Sequence, residues 1–399
     1  MSLPLSGVKI VEACQMVSGP LATMMLAEQG AEVVKIEMAD GVGDRFRYIA
    51  PIHQGMSAAF GSTNRLKRSV VLDIKDPRGL AAAKDLIATA DVFVQNFRPG
   101  AAERMGLGPD QLAQVNPDLI YVSISGFGDS GPDADQMVYD FVIQARTGMA
   151  ALQKGPDGQP QLIRNIAIDK ATSLTVAQAV TAALFQRQRG EGAPHVRVNM
   201  LDVGLWFFWP DGMSADTFLD DVPDQGHFAD TYEVRATKDG HMALMANGNR
   251  TWPRLCAALN PAWASDPRFA TYEDRAANSA ALSEEVSVAL AALTTEEALA
   301  SLRANDLPGA AVTPLDQVHL DPQAAHNGSL VEVEWSAGGR VRQVLPVASF
   351  ADQPKPAVGE PPAYGQHTVE VLTELGRSSD EIEAMAADGV LGPRADGHR

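Results

Sequence analysis

Short apolar runs alternate with amphipathic segments through the first half of the chain. Apolar runs bounded by charged residues or glycine predict buried strands, and longer segments with apolar residues three or four positions apart predict helices. Strands alternating with helices in this way favour an α/β fold, with a mostly parallel sheet, helices on both faces and right-handed crossovers. The predicted strands cover 8–13, 31–37, 91–96, 119–125 and 195–200, and the predicted helices cover 18–29, 78–90, 110–115 and 169–189.

Polar residues and proline predict where these helices begin. Ser18-Gly19-Pro20 follows the first strand and has a capping side chain and a proline in the first turn. Gly30 is suited to end that helix, because glycine readily adopts a left-handed conformation. Asp76 precedes Pro77 in the same manner, and Asp169 stands before a long apolar segment. We therefore predict that Ser18, Asp76 and Asp169 are helix caps.

The pattern changes near the middle of the chain. From Trp206 to about His227 the periodicity fails and aromatic, proline, aspartate and glycine residues dominate, as in a linker. Helical patterns return at 252–259, 283–293, 295–305, 368–375 and 379–386, and strand character at 330–347. The predicted organisation is a large domain at 1–205, a linker at 206–232, a small α+β domain at 233–325 and a return to the large domain at 326–399.

Length and composition restrict the class of protein. The 399 residues are too many for one core of ordinary size, and 45% apolar with 21% charged residues is typical of a folded globular protein. No apolar run reaches the roughly 18 residues of a membrane span, and the first twelve residues do not resemble a signal peptide. Two cysteines cannot build a disulfide framework or a zinc cluster. We expect a cytoplasmic protein with no metal and no membrane partner.

The net charge of −18 argues against a nucleic-acid partner, because no basic patch is visible in the sequence. An acidic protein can still bind an anionic cofactor where a few Lys and Arg side chains converge. No Gly-x-Gly-x-x-Gly motif follows the first strand, so the sequence does not support NAD or FAD binding.

An ordered set of segments along the chain resembles the third family of CoA-transferases, the CaiB/BaiF type that includes formyl-CoA and carnitine CoA-transferases. Each segment is weak alone, but the set runs nearly end to end in the right order. The segments are LSGVKI at 5–10, SGP at 18–20, GAEVVKIE at 30–37, NRLKRSVVLD at 64–73, NFRPG at 96–100, GFG at 126–128, GP at 131–132, YD at 139–140, Asp169, GQHT at 365–368 and VL at 371–372.

The resemblance implies a fold and an assembly. Members of this family have a Rossmann-like large domain built from both ends of the chain, with a smaller domain inserted between them. Two such chains interlock as a homodimer. The resemblance also implies coenzyme A and acyl-CoA as substrates, a carboxylic acid as acceptor, and no metal or redox cofactor.

Asp169 has two compatible interpretations. A helix cap is the ordinary one for an aspartate before a long helix. A carboxylate at a helix N-terminus is also kept ionised and can attack a thioester. The resemblance assigns Asp169 as the catalytic nucleophile.

The resemblance further implies a set of residues around CoA. Two positions depart from better-known members, since Met38 replaces an arginine and Met137 replaces a lysine of some members. Arg45 or Arg47 is a candidate to replace a missing positive contact. The implied CoA-site residues are Val17, Ser18, Leu72, Asp73, Lys75, Asn96, Phe97, Arg98, Arg104, Met137, Tyr139 and Asp140.

Two segments are candidates for the acyl group. Some members close over an oxalate-type acyl group with a run of glycines. The nearest match here is Asn247-Gly248-Asn249, which has a single glycine and makes a strict oxalate enzyme doubtful. The aromatic cluster Trp206 to Trp209, with Met213, could line a larger apolar pocket, or it could belong to the linker or to a dimer interface.

Three alternative functions remain. An acyl-CoA racemase of the same superfamily needs bases on both faces of the α-carbon. Its pattern has His before Asp, where this chain has Tyr139-Asp140, and the sequence holds no histidine between His53 and His195. The transferase is favoured for this reason. An intramolecular transfer, which would make the enzyme an isomerase, and a non-catalytic CoA-binding protein stay open.

Overall fold

The computed structural model describes residues 2–155, 157–220, 232–245, 248–350 and 358–392. The chain forms two compact units. One consists of Met1–Phe208 with Ala324–Arg399, and the other of Trp209–Gln323. Asn247, one of the acyl-group candidates, lies outside the described residues.

A six-stranded sheet organises the first unit. Every pairing in it is parallel, and the order β5-β2-β1-β6-β7-β8 is that of Rossmann folds. The chain therefore changes direction across the sheet between β1 and β6. A small antiparallel hairpin, β3 with β4, precedes β5. The strands are β1 (Lys9–Ala13), β2 (Glu32–Met38), β3 (Ile52–His53), β4 (Met56–Ser57), β5 (Lys67–Leu72), β6 (Val92–Gln95), β7 (Ile120–Ser125) and β8 (His195–Asn199).

Helices cover both faces of this sheet, as predicted. One core cluster joins one face of the strands to α3 and α5, through Leu86 and Leu112 among others. A second cluster joins the opposite face to α1 and α8, through Leu26 and Val176. The helices are α1 (Ser18–Glu28), α2 (Ala58–Asn64), α3 (Pro77–Ala88), α4 (Ala101–Arg104), α5 (Pro109–Ala113), α6 (Asp140–Arg146), α7 (Met149–Leu152), α8 (Ala167–Gln188) and α9 (Met200–Gly212).

The second unit has its own core, in which Trp252, Trp263 and Phe269 pack together. A three-stranded antiparallel sheet in the order β11-β10-β9 lies in this unit. Its elements are β9 (Val234–Ala236), β10 (His241–Leu244), α10 (Trp252–Leu259), α11 (Tyr272–Ala277), α12 (Ser279–Ala291), α13 (Thr295–Ala304) and β11 (Gly309–Ala311), and α14 (Pro322–His326) follows them.

The last part of the chain completes the first unit. The hairpin of β12 (Leu330–Trp335) and β13 (Gly339–Val344) accounts for the predicted strand character at 330–347. Helices α15 (Thr368–Glu374) and α16 (Ser379–Ala387) match their predicted positions and supply Leu372 and Ile382 to the first core cluster. None of the helices in the described ranges is long and apolar enough to span a bilayer.

Two local predictions differ from the structure, and one strand was not predicted. The first residues of the predicted linker, 206–212, belong to α9, which continues to Gly212 with Pro210 inside it. Helix α12 begins at Ser279 rather than Ser283. The apolar pattern did not predict β5, which begins with charged Lys67 although that residue is buried.

Candidate active site

The site forms where the loops after β1 and β6 meet. These strands are neighbours at the point where the chain reverses across the sheet, and ligands of α/β proteins bind at the carboxyl ends of such strands. Asn96, which follows β6, joins the two loops. Its Oδ1 accepts from the Gln15 N–H at 3.0 Å, and its Nδ2 donates to the Gln15 carbonyl at 2.8 Å. The Asn96 amide thus holds the loop that leads to Ser18.

Buried ionic groups also bind the backbone of the loop that leads to Ser18. Met16 has a left-handed backbone with φ of 67°, and its N–H donates to Asp44 Oδ1 at 2.9 Å. Lys35 Nζ donates to the Cys14 carbonyl at 2.7 Å and lies 2.9 Å from Asp44 Oδ2. A side chain at Gly19 would place its Cβ 2.3 Å from Cys14 Sγ, so only glycine fits there.

Glu12 lies at the centre of these ionic groups and is fully buried. Its carboxylate contacts Lys35 Nζ at 3.0 Å and Lys67 Nζ at 3.0 and 3.1 Å. Burial alone would raise the pKa of Glu12, but the two ammonium groups outweigh it and lower the pKa to about 2. Burial lowers the pKa of Lys67 to about 8 despite the attraction of Glu12.

Asp169 lies in the first turn of α8, two residues after the helix begins. The predicted cap is wrong, because Ile166 occupies the capping position and Asp169 is the third helical residue. Its carboxylate instead accepts a hydrogen bond from Ser18 Oγ at 2.5 Å. Ser18 is likewise no cap of α1, since Val17 takes that position. The structure therefore pairs a carboxylate with a hydroxyl at the edge of the sheet where the β1 loop ends.

Asp140, at the start of α6, accepts the hydrogen bonds from the first turn of α8 that the side chain of Ile166 cannot accept. Its Oδ2 accepts from the backbone N–H groups of Ile168 at 2.7 Å and Asp169 at 2.9 Å. Its Oδ1 accepts from Gln144 Nε2 at 2.5 Å, and the residue is 5% exposed. The carboxylate implied to line the CoA site is thus engaged with the helix that carries Asp169.

The environment of Asp169 changes its protonation. Burial is the main cause that raises its pKa from the ordinary 3.8 to about 6, and the negative charge of Asp140 adds to it. The Ser18 hydrogen bond opposes both effects. A helix N-terminus alone would lower this pKa, but burial outweighs that effect, and Asp140 occupies the N–H group of Asp169 itself.

The other residues implied at the CoA site differ in exposure. Val17 and Leu72 are buried, and Asp73 accepts from the Lys75 N–H in a turn. Phe97 is partly buried, and its N–H donates to Gln95 Oε1. Exposed members are Lys75, Arg98, Arg104, Met137 and Tyr139.

Three exposed cations follow the carboxyl ends of β5 and β6. Lys75, Arg98 and Arg104 form no ion pair with any other described residue. Arg47 is already paired, because Glu37 binds its guanidinium at 2.6 and 2.9 Å. Arg45 is exposed and remains a candidate.

The acyl-group candidates have local roles. Asn249 Oδ1 accepts from Arg275 Nη2 at 2.5 Å, and the Gly248 carbonyl accepts from the Thr251 N–H. In α9 the side chains of Trp206, Phe207 and Trp209 are exposed, whereas Phe208 is buried. Across the described ranges, no group of three His, Cys, Asp or Glu side chains is arranged to hold a metal ion.

Comparison with known proteins finds matches along nearly the whole chain. The model of CoA-transferase family III matches residues 5–368. The succinate–glutarate CoA-transferase of Agrobacterium fabrum is 31% identical over 93% of this chain and 96% of its own length. The formyl-CoA:oxalate CoA-transferase of Escherichia coli is 32% identical over 96% of this chain and 99% of its own.

Solved structures give the same result. A crystal structure of Rv3272 from Mycobacterium tuberculosis superposes with a TM-score of 0.82 and 32% identity, covering 93% of this chain and 99% of that one. A CaiB/BaiF family protein from Brucella suis superposes with a TM-score of 0.81 and 28% identity over 94% and 100% of the two chains.

Proposed function

Because this chain belongs to CoA-transferase family III, we propose that it transfers CoA from an acyl-CoA donor to a carboxylic acid through a covalent intermediate on Asp169. One observation carries this proposal. The Asp169 carboxylate lies beside Ser18, at the end of the loop that follows the central strand of the sheet. A carboxylate at this place can attack a thioester bound across the strand ends.

The reaction proceeds by two acyl exchanges on the aspartate. An Asp169 oxygen attacks the donor thioester carbonyl, the C–S bond breaks, and a mixed anhydride and CoA thiolate result. The thiolate then attacks the aspartyl carbonyl and expels the donor acid, leaving an aspartyl-CoA thioester. The acceptor carboxylate attacks this thioester, which releases the CoA thiolate and forms a second mixed anhydride between Asp169 and the acceptor. The thiolate attacks the acceptor carbonyl of this anhydride and gives the acceptor acyl-CoA. Asp169 is regenerated, and no oxidation or net proton transfer occurs.

The environment of Asp169 suits a nucleophile. A carboxyl with a pKa of about 6 is roughly 90% ionised at pH 7. It is also more basic than an exposed aspartate, and basicity increases reactivity toward a thioester. The Ser18 hydroxyl donates to one oxygen and so orients the carboxylate.

We assign the phosphates of CoA to the exposed cations Lys75, Arg98 and Arg104. They follow strand ends at the same edge of the sheet as the β1 loop, and none is neutralised by a carboxylate of the described residues. In a chain of net charge −18 such unpaired cations attract an anionic ligand. Arg45 is a further candidate contact.

The relatives suggest which acids to test first. One relative is named for succinate and glutarate, and another is named for formyl-CoA and oxalate. We propose small mono- and dicarboxylic acids as donor and acceptor, and a screen of these acids with their CoA esters by mass spectrometry would identify the pair.

An acyl-CoA racemase is less well supported. The position before Asp140 is Tyr139, which is exposed and stacks on Phe141. His195 is the first residue of β8, at the amino end of the strand, and bonds to Ser123. Neither residue offers the histidine base that the racemase pattern requires beside Asp140.

The decisive experiment compares wild type with Asp169→Asn. Wild type incubated with acyl-CoA and hydroxylamine should yield a hydroxamate on the peptide that contains Asp169. The variant should lose at least three orders of magnitude of turnover, because an amide cannot form the anhydride. Its CoA affinity should stay within about twofold, as expected for a group that acts in the chemical step. An Asn variant with more than about a tenth of wild-type turnover, with deamidation excluded, would disprove the mechanism.

Stability provides the folding control. Wild-type Asp169 has a higher pKa in the folded chain than in the unfolded chain. Its ionisation therefore has no effect on folding below about pH 4, opposes folding increasingly between pH 4 and 6, and opposes it fully above pH 6. Asp169→Asn should therefore melt at an equal or higher temperature than wild type at pH 8. CoA binding without transfer in wild type would favour the non-catalytic alternative.

A further inference from the structure

The first turn of α8 has no cap of its own. Ile166 occupies the capping position and cannot accept a hydrogen bond through its side chain. The first four N–H groups of a helix lack partners within the helix. In a helix of 22 residues whose third residue is Asp169, the position of the nucleophile depends on what those groups bind.

The Asp140 carboxylate binds two of them. One of its oxygens accepts from the N–H groups of Ile168 and Asp169, at 2.7 and 2.9 Å. Its other oxygen accepts from Gln144, whose amide accepts from the Ile163 N–H at 3.0 Å and donates to the Asn165 carbonyl at 2.9 Å. Asp140 and Gln144 therefore hold both the segment that enters α8 and its first turn.

The charge of Asp140 also reaches the nucleophile. Helices α1 and α6 and strands β7 and β8 pack against α8. Among the ionisable groups of these elements, Asp140 alone contributes a charge to the pKa of Asp169, and Ser18 contributes a hydrogen bond. Lys170, on α8 itself, donates to Asn165 instead. The other ionisable side chains of the packed elements are Glu28, Tyr121, Arg146, His195 and Arg197.

We propose that Asp140 is a positioning residue for the Asp169 nucleophile: its carboxylate fixes the first turn of α8 and places a negative charge beside the reacting carboxyl. The inference rests on the proposed function of Asp169. It also assigns Asp140 a role different from contact with CoA, because its carboxylate oxygens are bonded to Ile168, Asp169 and Gln144 and the residue is buried.

Two variants separate position from charge. Asp140→Asn removes the charge and keeps an oxygen that can accept from the Ile168 and Asp169 N–H groups, although its amide nitrogen cannot accept from Gln144 Nε2. Its turnover at pH 8 should stay within about tenfold of wild type, and the acid limb of its pH–rate profile should move down by about half a pH unit or more. Asp140→Ala removes the acceptor as well, and its turnover should fall more than about tenfold while KM for acyl-CoA stays within about twofold.

A matched pair of controls is available in the second unit. Asp266 accepts from the Arg268 N–H at the start of a short helical turn. Asp140 accepts from backbone N–H groups at the start of α8 in the same way. Asp266→Asn and Asp266→Ala should change neither the pH limb nor turnover. A rise in KM for acyl-CoA with unchanged turnover in Asp140→Ala would make Asp140 a CoA contact and overturn the proposal. An acid limb unmoved in Asp140→Asn would overturn it as well.

A measurement without substrate distinguishes failure of this inference from failure of the proposed function. The infrared spectrum of wild type minus that of Asp169→Asn reports the titration of the Asp169 carboxyl. In the Asp140→Asn background this titration should move to lower pH even if no acyl-CoA supports transfer. An unchanged titration contradicts the inference whether or not the enzyme transfers CoA, and it remains measurable if Asp140→Ala does not fold.

Discussion

At the scale of single residues, the site combines a carboxylate that is partly desolvated with cations that are not neutralised. Asp169 is held by Ser18 and has a raised pKa. Lys75 and Arg104 are exposed and unpaired among the described residues, so they are available for the phosphates of CoA. In the proposed function the exposed cations bind the substrate, and the partly buried carboxyl performs the chemistry.

A residue-scale prediction concerns Lys75 and Arg104. Each Ala variant should raise KM for acyl-CoA about three- to tenfold with little change in turnover, because the charge contributes equally to ground and transition states. With dephospho-CoA substrates the variant that contacts the 3′-phosphate should differ less from wild type. Steady-state kinetics would measure both effects.

The control for this prediction is Arg189→Ala. Arg189 is exposed and lies at the end of α8 remote from Asp169. Its loss should leave KM unchanged. If Lys75→Ala and Arg104→Ala also leave KM unchanged, these two residues belong to the ordinary solvated surface.

At the scale of elements, a buried ionic cluster joins β1, β2, β5 and α1. Glu12 on β1 pairs with Lys35 on β2 and Lys67 on β5, and Thr23 on α1 donates to Glu12. Lys35 also holds the Cys14 carbonyl, and Lys67 holds the Pro20 carbonyl at 2.8 Å. The cluster thus fixes both sides of the turn that presents Ser18 to Asp169.

The cluster yields an element-scale prediction. Glu12→Gln would leave buried Lys67 without a carboxylate and Lys35 with Asp44 alone. Breaking a buried ion pair in this way costs about 3–5 kcal/mol of unfolding free energy. The loss should appear in urea unfolding at pH 7. Glu12 has a lower pKa folded than unfolded, so the advantage of wild type over the variant should shrink as pH falls below about 4.5.

Glu332→Gln is the comparison variant. Glu332 pairs with Arg340 and Arg342 on an exposed hairpin, and such pairs contribute about 1 kcal/mol or less. If Glu12→Gln destabilises the protein no more than Glu332→Gln does, the buried cluster does not stabilise the loop.

At the scale of the whole molecule, we propose a homodimer with interlocked chains, as the family resemblance implies. Apolar side chains exposed on the first unit support an assembly that buries them, including Leu174 and Phe185 on α8 and Trp206 and Phe207 on α9. Linked chains cannot separate without unfolding.

The corresponding prediction concerns mass and concentration. Mass photometry should find a species of about 85 kDa, twice the 42.4 kDa chain, down to nanomolar concentration. Dilution should not reduce specific activity. A stable monomer that retains activity would contradict the interlocked dimer.

The sequence alone located five of the six strands of the main sheet, the helices α1, α3, α5 and α8 that cover it, and the residue proposed as nucleophile. Apolar runs and helical spacing are local patterns, so they located the ends of β1, β2, β6, β7 and β8 to within one residue. The ordered motifs indicated the family, and the apolar pattern placed Asp169 at the start of a long helix. Local patterns failed at β5 and α9, where burial of Lys67 and exposure of Trp206 reverse the usual relation between polarity and position.

Only the tertiary structure decided how Asp169 is held. The contacts of Asp169 with Ser18 and Asp140 join residues 151 and 29 positions apart, and no periodicity in the sequence records such pairs. The same applies to Arg47, whose guanidinium Glu37 binds, and to Asn96, whose amide holds the Gln15 backbone. A residue's chemistry can be read from its type, but its partners, burial and pKa depend on which segments the fold brings together.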